Sequence, residues 1–241
     1  MAVNDPAQDQ NLDKSGAVIR DMFAKVARRY DLLNHLLSGA LDFWWRRQAA
    51  RALAPRPGEE VLDLCCGTGD QAVVIEKRGA RVVAADFCLP MLAIAQGKLV
   101  KTAGPPRLAT ADALQLPFVD GRFDGATVSF GLRNVADLDR SLRELLRVLK
   151  PGGRLVVLDA SIPTLGVVRG PYLFYFNRIL PWVGRLISDC GPAYSYLPKS
   201  VASFPLREAF SERLRAAGFA TASWRSMTAG TVCLYVGRKA P

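Results

Sequence analysis

Apolar residues recur at helical spacing in the first part of the chain. The apolar positions of the first run lie four residues apart: Val18, Met22, Val26 and Tyr30. A second amphipathic run, Leu41–Leu53, ends at a cluster of prolines and a glycine in residues 55–58. Such spacing places apolar side chains on one face of each helix. We predict a helical cap over residues 16–57, preceded by a polar tail over residues 1–15 that we expect to be disordered.

Strand and helix patterns alternate after this cap. Short apolar runs bounded by turn residues predict buried parallel strands, and the stretches between them predict the crossover helices that parallel strands require. The predicted strands are Glu59–Cys66, Ala80–Phe87, Arg107–Ala111, Phe123–Phe130 and Arg154–Ser161. The predicted helices between them are Asp70–Arg78, Met91–Lys101 and Leu138–Leu149. This alternation favours an α/β domain with a doubly wound sheet.

The end of the chain follows a different pattern. Phe204–Ala217 has helical spacing, and the strand-like runs Ala222–Met227 and Thr231–Val236 are separated by a short turn segment. Such a pair of runs predicts an antiparallel hairpin. An NAD-binding fold would instead end on further parallel units. The pattern therefore predicts a Rossmann-like, seven-stranded sheet with a terminal antiparallel hairpin, in a domain that covers residues 58–241.

A glycine-rich loop joins the first predicted strand to the helix that follows. Gly67 and Gly69 let the backbone turn tightly and approach a ligand, and the start of the helix offers free N–H groups. Asp63 is placed to support this loop or the ammonium group of S-adenosylmethionine. The spacing Gly67-x-Gly69-x-x-Ala72 also satisfies the dinucleotide fingerprint, so the loop alone does not distinguish S-adenosylmethionine from NAD.

The order of polar residues on the later strands favours S-adenosylmethionine. Asp86 ends the second strand, where the ribose of either cofactor would bind. Asp112 and Ala113 follow the third strand, where methyltransferases hold the adenine, and Ser129 lies near the end of the fourth. A helix cap or a surface carboxylate is the alternative role for each aspartate. The combined order predicts a methyltransferase rather than a dehydrogenase.

Long segments of the chain resemble the family that C-methylates quinone precursors, the demethylmenaquinone and ubiquinone-biosynthesis methyltransferases. The resemblance covers nearly the whole chain after residue 17. It is most specific in the Met-Phe-x-x-Val-Ala-x-Arg-Tyr-Asp segment that ends at Asp31, and in Ser-Phe-Gly-Leu-Arg-Asn-Val-x-Asp, which begins at Ser129. It implies a class I S-adenosylmethionine-dependent methyltransferase fold and cofactor contacts at Thr68, Asp86, Asp112, Ala113 and Ser129.

The same resemblance implies methyl transfer to a ring carbon of a prenylated hydroquinone. Demethylmenaquinol is the expected substrate, and no metal is needed. Arg133 and Asn134 follow the fourth strand at the edge where open α/β sheets bind ligands, so we expect them to act on the ring hydroxyl. Tyr30, His35 and Tyr196 are further candidates to close over the ring. The alternative role for His35, the only histidine in the chain, is a position on a helix face near solvent.

A long apolar insert separates the fifth strand from the final helix. It covers about residues 162–205 and is rich in aromatic residues. Connections of this length in compact domains are usually functional, and we predict a lid that provides an apolar groove for the prenyl tail. Arg178 and Arg185 are expected to share a helix face and to contact anionic lipid headgroups. Lid packing or a homodimer interface is the alternative use of this segment.

Composition and charge narrow the range of partners. The chain has 241 residues, a net charge of +10 and five cysteines without CxxC spacing, which argues against a structural zinc site. Its polar start and the arginines that interrupt its apolar stretches predict neither a signal peptide nor a spanning helix. We expect a cytoplasmic protein with reduced thiols that contacts the inner face of the membrane peripherally.

The positive charge also suits phosphate, so an RNA or other small-molecule methyltransferase remains the alternative function. Against nucleic acid, the segment after the fourth strand lacks the Asn/Asp-Pro-Pro-Tyr/Phe motif of amino-group nucleobase methyltransferases. No appended RNA-binding module is visible in the sequence. We therefore predict no nucleic-acid partner.

Overall fold

The computed structural model describes residues 12–102, 105–179 and 191–241. Most of the predicted tail, residues 1–11, lies outside this part of the chain. The helices are α1 (Gly16–Leu37), α2 (Leu41–Leu53), α3 (Asp70–Glu76), α4 (Leu89–Leu99), α5 (Leu138–Val148), α6 (Gly166–Phe174), α7 (Gly191–Ala202) and α8 (Glu208–Ala216). The strands are β1 (Glu60–Leu64), β2 (Arg81–Asp86), β3 (Arg107–Thr110), β4 (Phe123–Ser129), β5 (Leu149–Ala160), β6 (Thr221–Met227) and β7 (Val232–Arg238).

The strands form one seven-stranded sheet in the order β3-β2-β1-β4-β5-β7-β6. The first five strands are parallel, whereas β7 pairs antiparallel with both β5 and β6. The predicted turn between the last two strands is a short 3₁₀ helix, Thr228–Gly230. The sheet order reverses between β1 and β4, and the carboxyl ends of these strands are where open α/β sheets bind ligands.

Alternate residues of the central strands supply two apolar cores. Leu62 and Leu64 of β1 face the core under α5 and α8, whereas Val61 faces the core under α2, α3 and α4. Parallel strands that are covered by helices on both faces must be apolar at nearly every position. This requirement explains the continuous apolar runs of β1, β2, β4 and β5.

Most element boundaries differ from the predicted ones by at most two residues, and two starting points differ by more. β5 begins at Leu149 instead of Arg154, because Leu149 pairs with Phe123 and the register then shifts before Gly125. The last helix begins at Glu208 instead of Phe204, because Pro205 disfavours a helical backbone at the residue before it. Both differences lie away from the ligand-binding edge of the sheet.

The predicted insert contains helical structure. α6 continues into a π-helical turn, Tyr175–Ile179, and α7 precedes α8. Arg178 is exposed on this turn, while Arg185 lies outside the described residues, so their predicted shared face has no structural description. Among the described residues, no helix combines the length and apolar character needed to cross a membrane.

Candidate active site

The glycine loop after β1 has the tight conformation that its sequence predicts. Gly69 has a φ of +84°, and a Cβ atom at this position would lie 3.0 Å from the Cβ of Ala95 on α4. Gly69 is therefore required both by its backbone conformation and by the close approach of α4. Cys65, at the start of the loop, also has a left-handed backbone with a φ of +54°.

Asp86 fastens this loop to the end of β2. Its carboxylate accepts hydrogen bonds from the N–H of Gly67 at 2.8 Å and from the N–H of Cys88 at 2.9 Å. Burial raises the pKa of Asp86, and the same N–H groups oppose the rise. The residue predicted to bind a ribose thus also holds the glycine loop in place.

A first cavity of about 130 Å³ lies over the carboxyl ends of β1, β2 and β4. Seven of its lining residues were predicted to bind or act on cofactor or substrate: Tyr30, Gly67, Asp86, Asp112, Ala113, Ser129 and Asn134. The Oγ of Ser129 and the Oδ1 of Asn134 are buried without a hydrogen-bond partner among the described residues. Buried polar atoms of this kind normally find a partner, which indicates that the cavity receives a polar ligand.

Asp63, Thr68 and Gly69 lie next to the first cavity without lining it. Asp63 is fully buried beneath the loop, where its Oδ1 accepts a hydrogen bond from Thr127 at 2.7 Å. Burial raises the pKa of Asp63 to about 7. The hydroxyl of Thr68 donates to Asp31 of α1 at 2.5 Å. The structure therefore places the side chain of Thr68 against α1 and not in the cavity, unlike the sequence-based prediction.

A second cavity of about 160 Å³ adjoins the first. Tyr30 and Phe130 line both cavities and so stand between them. Aromatic and aliphatic side chains line part of the second cavity: Leu37, Trp45, Tyr172, Tyr175, Phe176 and Leu197. The buried Asp42 and Arg46 of α2 also line it. These residues come from α1, α2 and the insert. The predicted cap and the predicted lid therefore meet over one apolar space.

Arg133 brings a buried positive charge to the second cavity. The short 3₁₀ helix Leu132–Asn134 turns Arg133 toward this cavity and Asn134 toward the first one. The Nη1 of Arg133 lies 2.7 Å from the Oδ1 of Asp159 and donates to the Phe130 carbonyl at 2.6 Å. Burial lowers the pKa of Arg133, but the carboxylate of Asp159 outweighs it and raises the pKa overall. The guanidinium remains cationic in its buried position.

Asp159 was missed in the sequence. It lies near the end of β5, at the same edge of the sheet as Asp86 and Ser129, and this position was the signal that could have identified it. Its side chain is almost fully buried, and its Oδ2 has no hydrogen-bond partner among the described residues. Asp159 thus acts on the second cavity through Arg133.

His35 is not at either cavity. Its Nδ1 lies 2.7 Å from the Oδ2 of Asp42, its Nε2 lies 4.0 Å from the Oδ2 of Asp70, and its ring stacks on Phe43. These contacts join α1 to α2 and α3, so the structure does not support His35 as a group that closes over the ring. Tyr196 lines neither cavity, and its hydroxyl is buried without a hydrogen-bond partner among the described residues. Burial raises the pKa of Tyr196 to about 12, and the charge of Arg133 opposes that rise.

Comparison with known proteins shows the family to which this chain belongs. The model of the ubiE/COQ5 methyltransferase family matches residues 9–239. The chain belongs to this family. A demethylmenaquinone methyltransferase of Thermus thermophilus is 48% identical over 218 residues, which cover 90% of this chain and 99% of the relative. One of Streptomyces avermitilis is 45% identical over 230 residues, which cover 95% of this chain and 98% of the relative.

Solved structures agree on the fold of this ubiE/COQ5 methyltransferase. A Thermotoga maritima protein, described as an S-adenosylmethionine-dependent methyltransferase and possible histamine N-methyltransferase, has a TM-score of 0.66. It is 19% identical, and the match covers 91% of this chain and 99% of that one. At this identity the likeness shows the fold alone. The predicted class I methyltransferase fold and the predicted methyltransferase activity are both confirmed.

Proposed function

We propose that this ubiE/COQ5 methyltransferase transfers the methyl group of S-adenosylmethionine to a ring carbon of a prenylated hydroquinone, demethylmenaquinol above all. The names of the relatives support the substrate. The observation that carries the proposal is the pair of adjoining cavities that share Tyr30 and Phe130: one lies over the glycine loop and is lined by the carboxylates of Asp86 and Asp112, and the other lies under the aromatic residues of the cap and the lid. Two reactants that enter from the two sides would meet at these rings.

The first cavity fits S-adenosylmethionine. We assign the ribose to Asp86, the adenine to Asp112 and Ala113, and the amino-acid part to Gly67 and the rest of the glycine loop. The Oδ1 of Asp112 already accepts a hydrogen bond from the N–H of Leu114 at 2.8 Å, which fixes the carboxylate at the cavity edge. The unpartnered Ser129 and Asn134 oxygens support the assignment, because leaving such atoms unsatisfied costs roughly 1–3 kcal/mol each.

When bound, the cofactor supplies an electrophilic sulfonium methyl group. The chain has to activate and orient the carbon that attacks it. We assign to Arg133 the stabilisation of the ring oxygen as it loses its proton, because its cation is permanent and lines the second cavity. The phenolate so formed pushes electron density onto the adjacent ring carbon, which loses its proton after methyl transfer to restore aromaticity. Holding both reactants in line can contribute about 7–11 kcal/mol.

The lid and cap provide the groove for the prenyl tail in this proposal. Tyr172, Tyr175 and Phe176 of the lid face Leu37 and Trp45 of the cap across the second cavity. Substrates of this kind are dissolved in the bilayer, so we also propose that the enzyme works peripherally at the inner face of the membrane. The lid as a homodimer interface is the competing proposal.

Labelled S-adenosylmethionine tests the function. The full chain is incubated with a panel of demethylated naphthoquinols and benzoquinols, and the label on the ring is measured. We expect transfer to demethylmenaquinol with release of one proton and S-adenosylhomocysteine. Transfer to RNA or to another small molecule, and to no quinol, would contradict the proposal.

A further inference from the structure

An unusual apolar surface surrounds the turn between α1 and α2. Five large apolar side chains here are between 41% and 63% exposed: Leu32, Leu36, Leu41, Phe43 and Trp44. We call these five residues the elbow. Single exposed apolar residues are ordinary, but a contiguous group of this size usually marks an interaction site.

A cationic groove adjoins the elbow at Phe43. The groove, of about 660 Å³, lies between α2, α3 and α4, and Phe43, Val73 and Val74 give it an apolar floor. Four of its lining residues are exposed cations: Arg47, Lys77, Arg78 and Lys101. None of them forms an ion pair with a carboxylate of the part of the chain that the structure describes. Part of the net charge of +10 thus lies in this groove, on side chains that are not neutralised by a described carboxylate.

The elbow also borders the substrate cavity. Asn34, Leu37 and Ser38 line the second cavity from the same turn, and exposed Leu36 is adjacent to Leu37 in the chain. The Oη of Tyr175 donates to the Leu37 carbonyl at 2.9 Å, which attaches the lid to the elbow. The elbow therefore adjoins the cationic groove at Phe43 and one flank of the second cavity at Leu37.

We propose that the elbow and the cationic groove together dock the enzyme on an anionic phospholipid bilayer, beside the entry of the second cavity. This inference rests on the proposed function, because docking would allow the second cavity to receive a lipid-soluble quinol from the bilayer. The elbow supplies the apolar and aromatic side chains that insert at the interface, and the groove supplies cations for the headgroups.

Charge argues against two other occupants. In a two-fold dimer through this surface, the groove cations of one copy would lie near those of the other, which is repulsive. A nucleic acid would satisfy the cations but would leave Leu32, Leu36 and Leu41 in water. A bilayer with anionic headgroups pairs with both parts of the surface.

Vesicle flotation of the full chain tests the docking surface. We expect it to bind vesicles of phosphatidylcholine with phosphatidylglycerol, to bind pure phosphatidylcholine weakly, and to lose binding as salt is raised. The variant R47Q/K77Q/K101Q should bind anionic vesicles about 100-fold less tightly, at roughly fivefold per cation. The variant L41S/W44S should also lose binding although it keeps every cation.

Matched controls come from the opposite face and edge of the molecule. The variant R140Q/R143Q/R238Q removes three exposed cations, and V119S removes an exposed apolar residue, and both should float like the parent. Thermal melting confirms that each variant is folded. Equal flotation of the groove, elbow and control variants would overturn the proposal. So would failure of the parent to float, or binding to RNA in place of vesicles.

Measurements of methylation rate distinguish the docking surface from the proposed function. The groove and elbow variants should methylate a short-tailed, water-soluble quinol at the parental rate, and should lose activity on a long-tailed quinol in anionic vesicles. A parent that floats through these residues but methylates no quinol would refute the proposed function alone. A parent that methylates quinols and does not float would refute the docking surface alone.

Discussion

Arg133 and Asp159 form a buried ion pair beside the second cavity. Both side chains are almost completely buried, and each keeps one polar atom without a partner among the described residues. Removing one member of a buried pair leaves the other uncompensated and costs about 3–5 kcal/mol of stability. A single substitution of Arg133 therefore cannot distinguish the proposed role in turnover from a role in folding.

A double variant separates the two roles of Arg133. R133Q should lower kcat by about 100-fold or more, because the ring oxygen loses its cation, and should also lower the melting temperature. Calorimetry should give a nearly unchanged Kd for S-adenosylmethionine, since Arg133 lines the other cavity. Adding D159N should restore the melting temperature without restoring kcat. Recovery of turnover in the double variant would make Arg133 a purely structural residue.

Asp63 should make the free energy of unfolding depend on pH between about 4 and 7. Burial raises the pKa of Asp63 to about 7, above the value of about 4 in an unfolded chain. The folded state thus binds a proton that the unfolded state releases, so this group's contribution to the unfolding free energy is lost as pH rises from about 4 to 7. D63N can still accept the Thr127 hydrogen bond and should flatten this dependence. Urea denaturation at pH 5, 6 and 7 measures the slope, and parallel curves for parent and variant would contradict the assignment.

At the scale of elements, a polar network attaches α1 to the glycine loop. Asp31 of α1 accepts the Thr68 hydroxyl at 2.5 Å, and its other oxygen lies 2.6 Å from the ammonium group of Lys98 on α4. Lys98 also pairs with Asp70 at the start of α3. Asp31 follows Tyr30, the residue between the two cavities. The network therefore holds Tyr30 over the loop. We expect α1 to move when a cofactor enters or leaves the first cavity.

Loosening this network should speed cofactor release. D31A removes both contacts of Asp31, which are partly exposed and together stabilise closure by about 1 kcal/mol. We expect the dissociation rate of S-adenosylmethionine to rise about fivefold, with faster hydrogen exchange in α1. D21N, on the same helix but outside the network, is the matched control. Unchanged release from D31A would show that α1 does not gate the first cavity.

At the scale of the whole molecule, the cap and the lid close the substrate cavity from opposite ends of the chain. α1 and α2 precede the first strand, whereas α6, its π-helical turn and α7 follow the fifth. The hydrogen bond from Tyr175 to Leu37 spans 138 positions in sequence and joins the two. Neither part encloses the cavity without the other.

Removing this single link should affect the lipid substrate selectively. Y175F keeps the ring that lines the second cavity and loses only the hydrogen bond, at a cost of about 1 kcal/mol. The KM for a long-tailed quinol should rise several-fold, with the Kd for S-adenosylmethionine unchanged. Steady-state kinetics with short-tailed and long-tailed quinols measure the difference. An equal rise for both would place the effect on the ring site instead of the tail.

The order of strands and helices, the glycine loop and the family were determined by the sequence alone. Buried parallel strands need apolar runs, tight loops need glycine, and both requirements are local and therefore visible in the pattern. The sequence also placed Asp86, Asp112, Ala113 and Ser129 together, and they line one cavity, because residues at the ends of parallel strands reach one edge of the sheet.

Tertiary structure decided which side chains turn toward the cavities. Thr68 and His35 have suitable chemistry and positions, yet each is held by a carboxylate that lies on another element in space, Asp31 and Asp42 respectively. Asp159 reaches Arg133 across 26 positions of sequence. Such long-range pairs depend on how elements pack, and hydrophobic periodicity carries no information about them. The contact between the cap and the lid, and the position of the cationic groove beside the elbow, were fixed by packing in the same way.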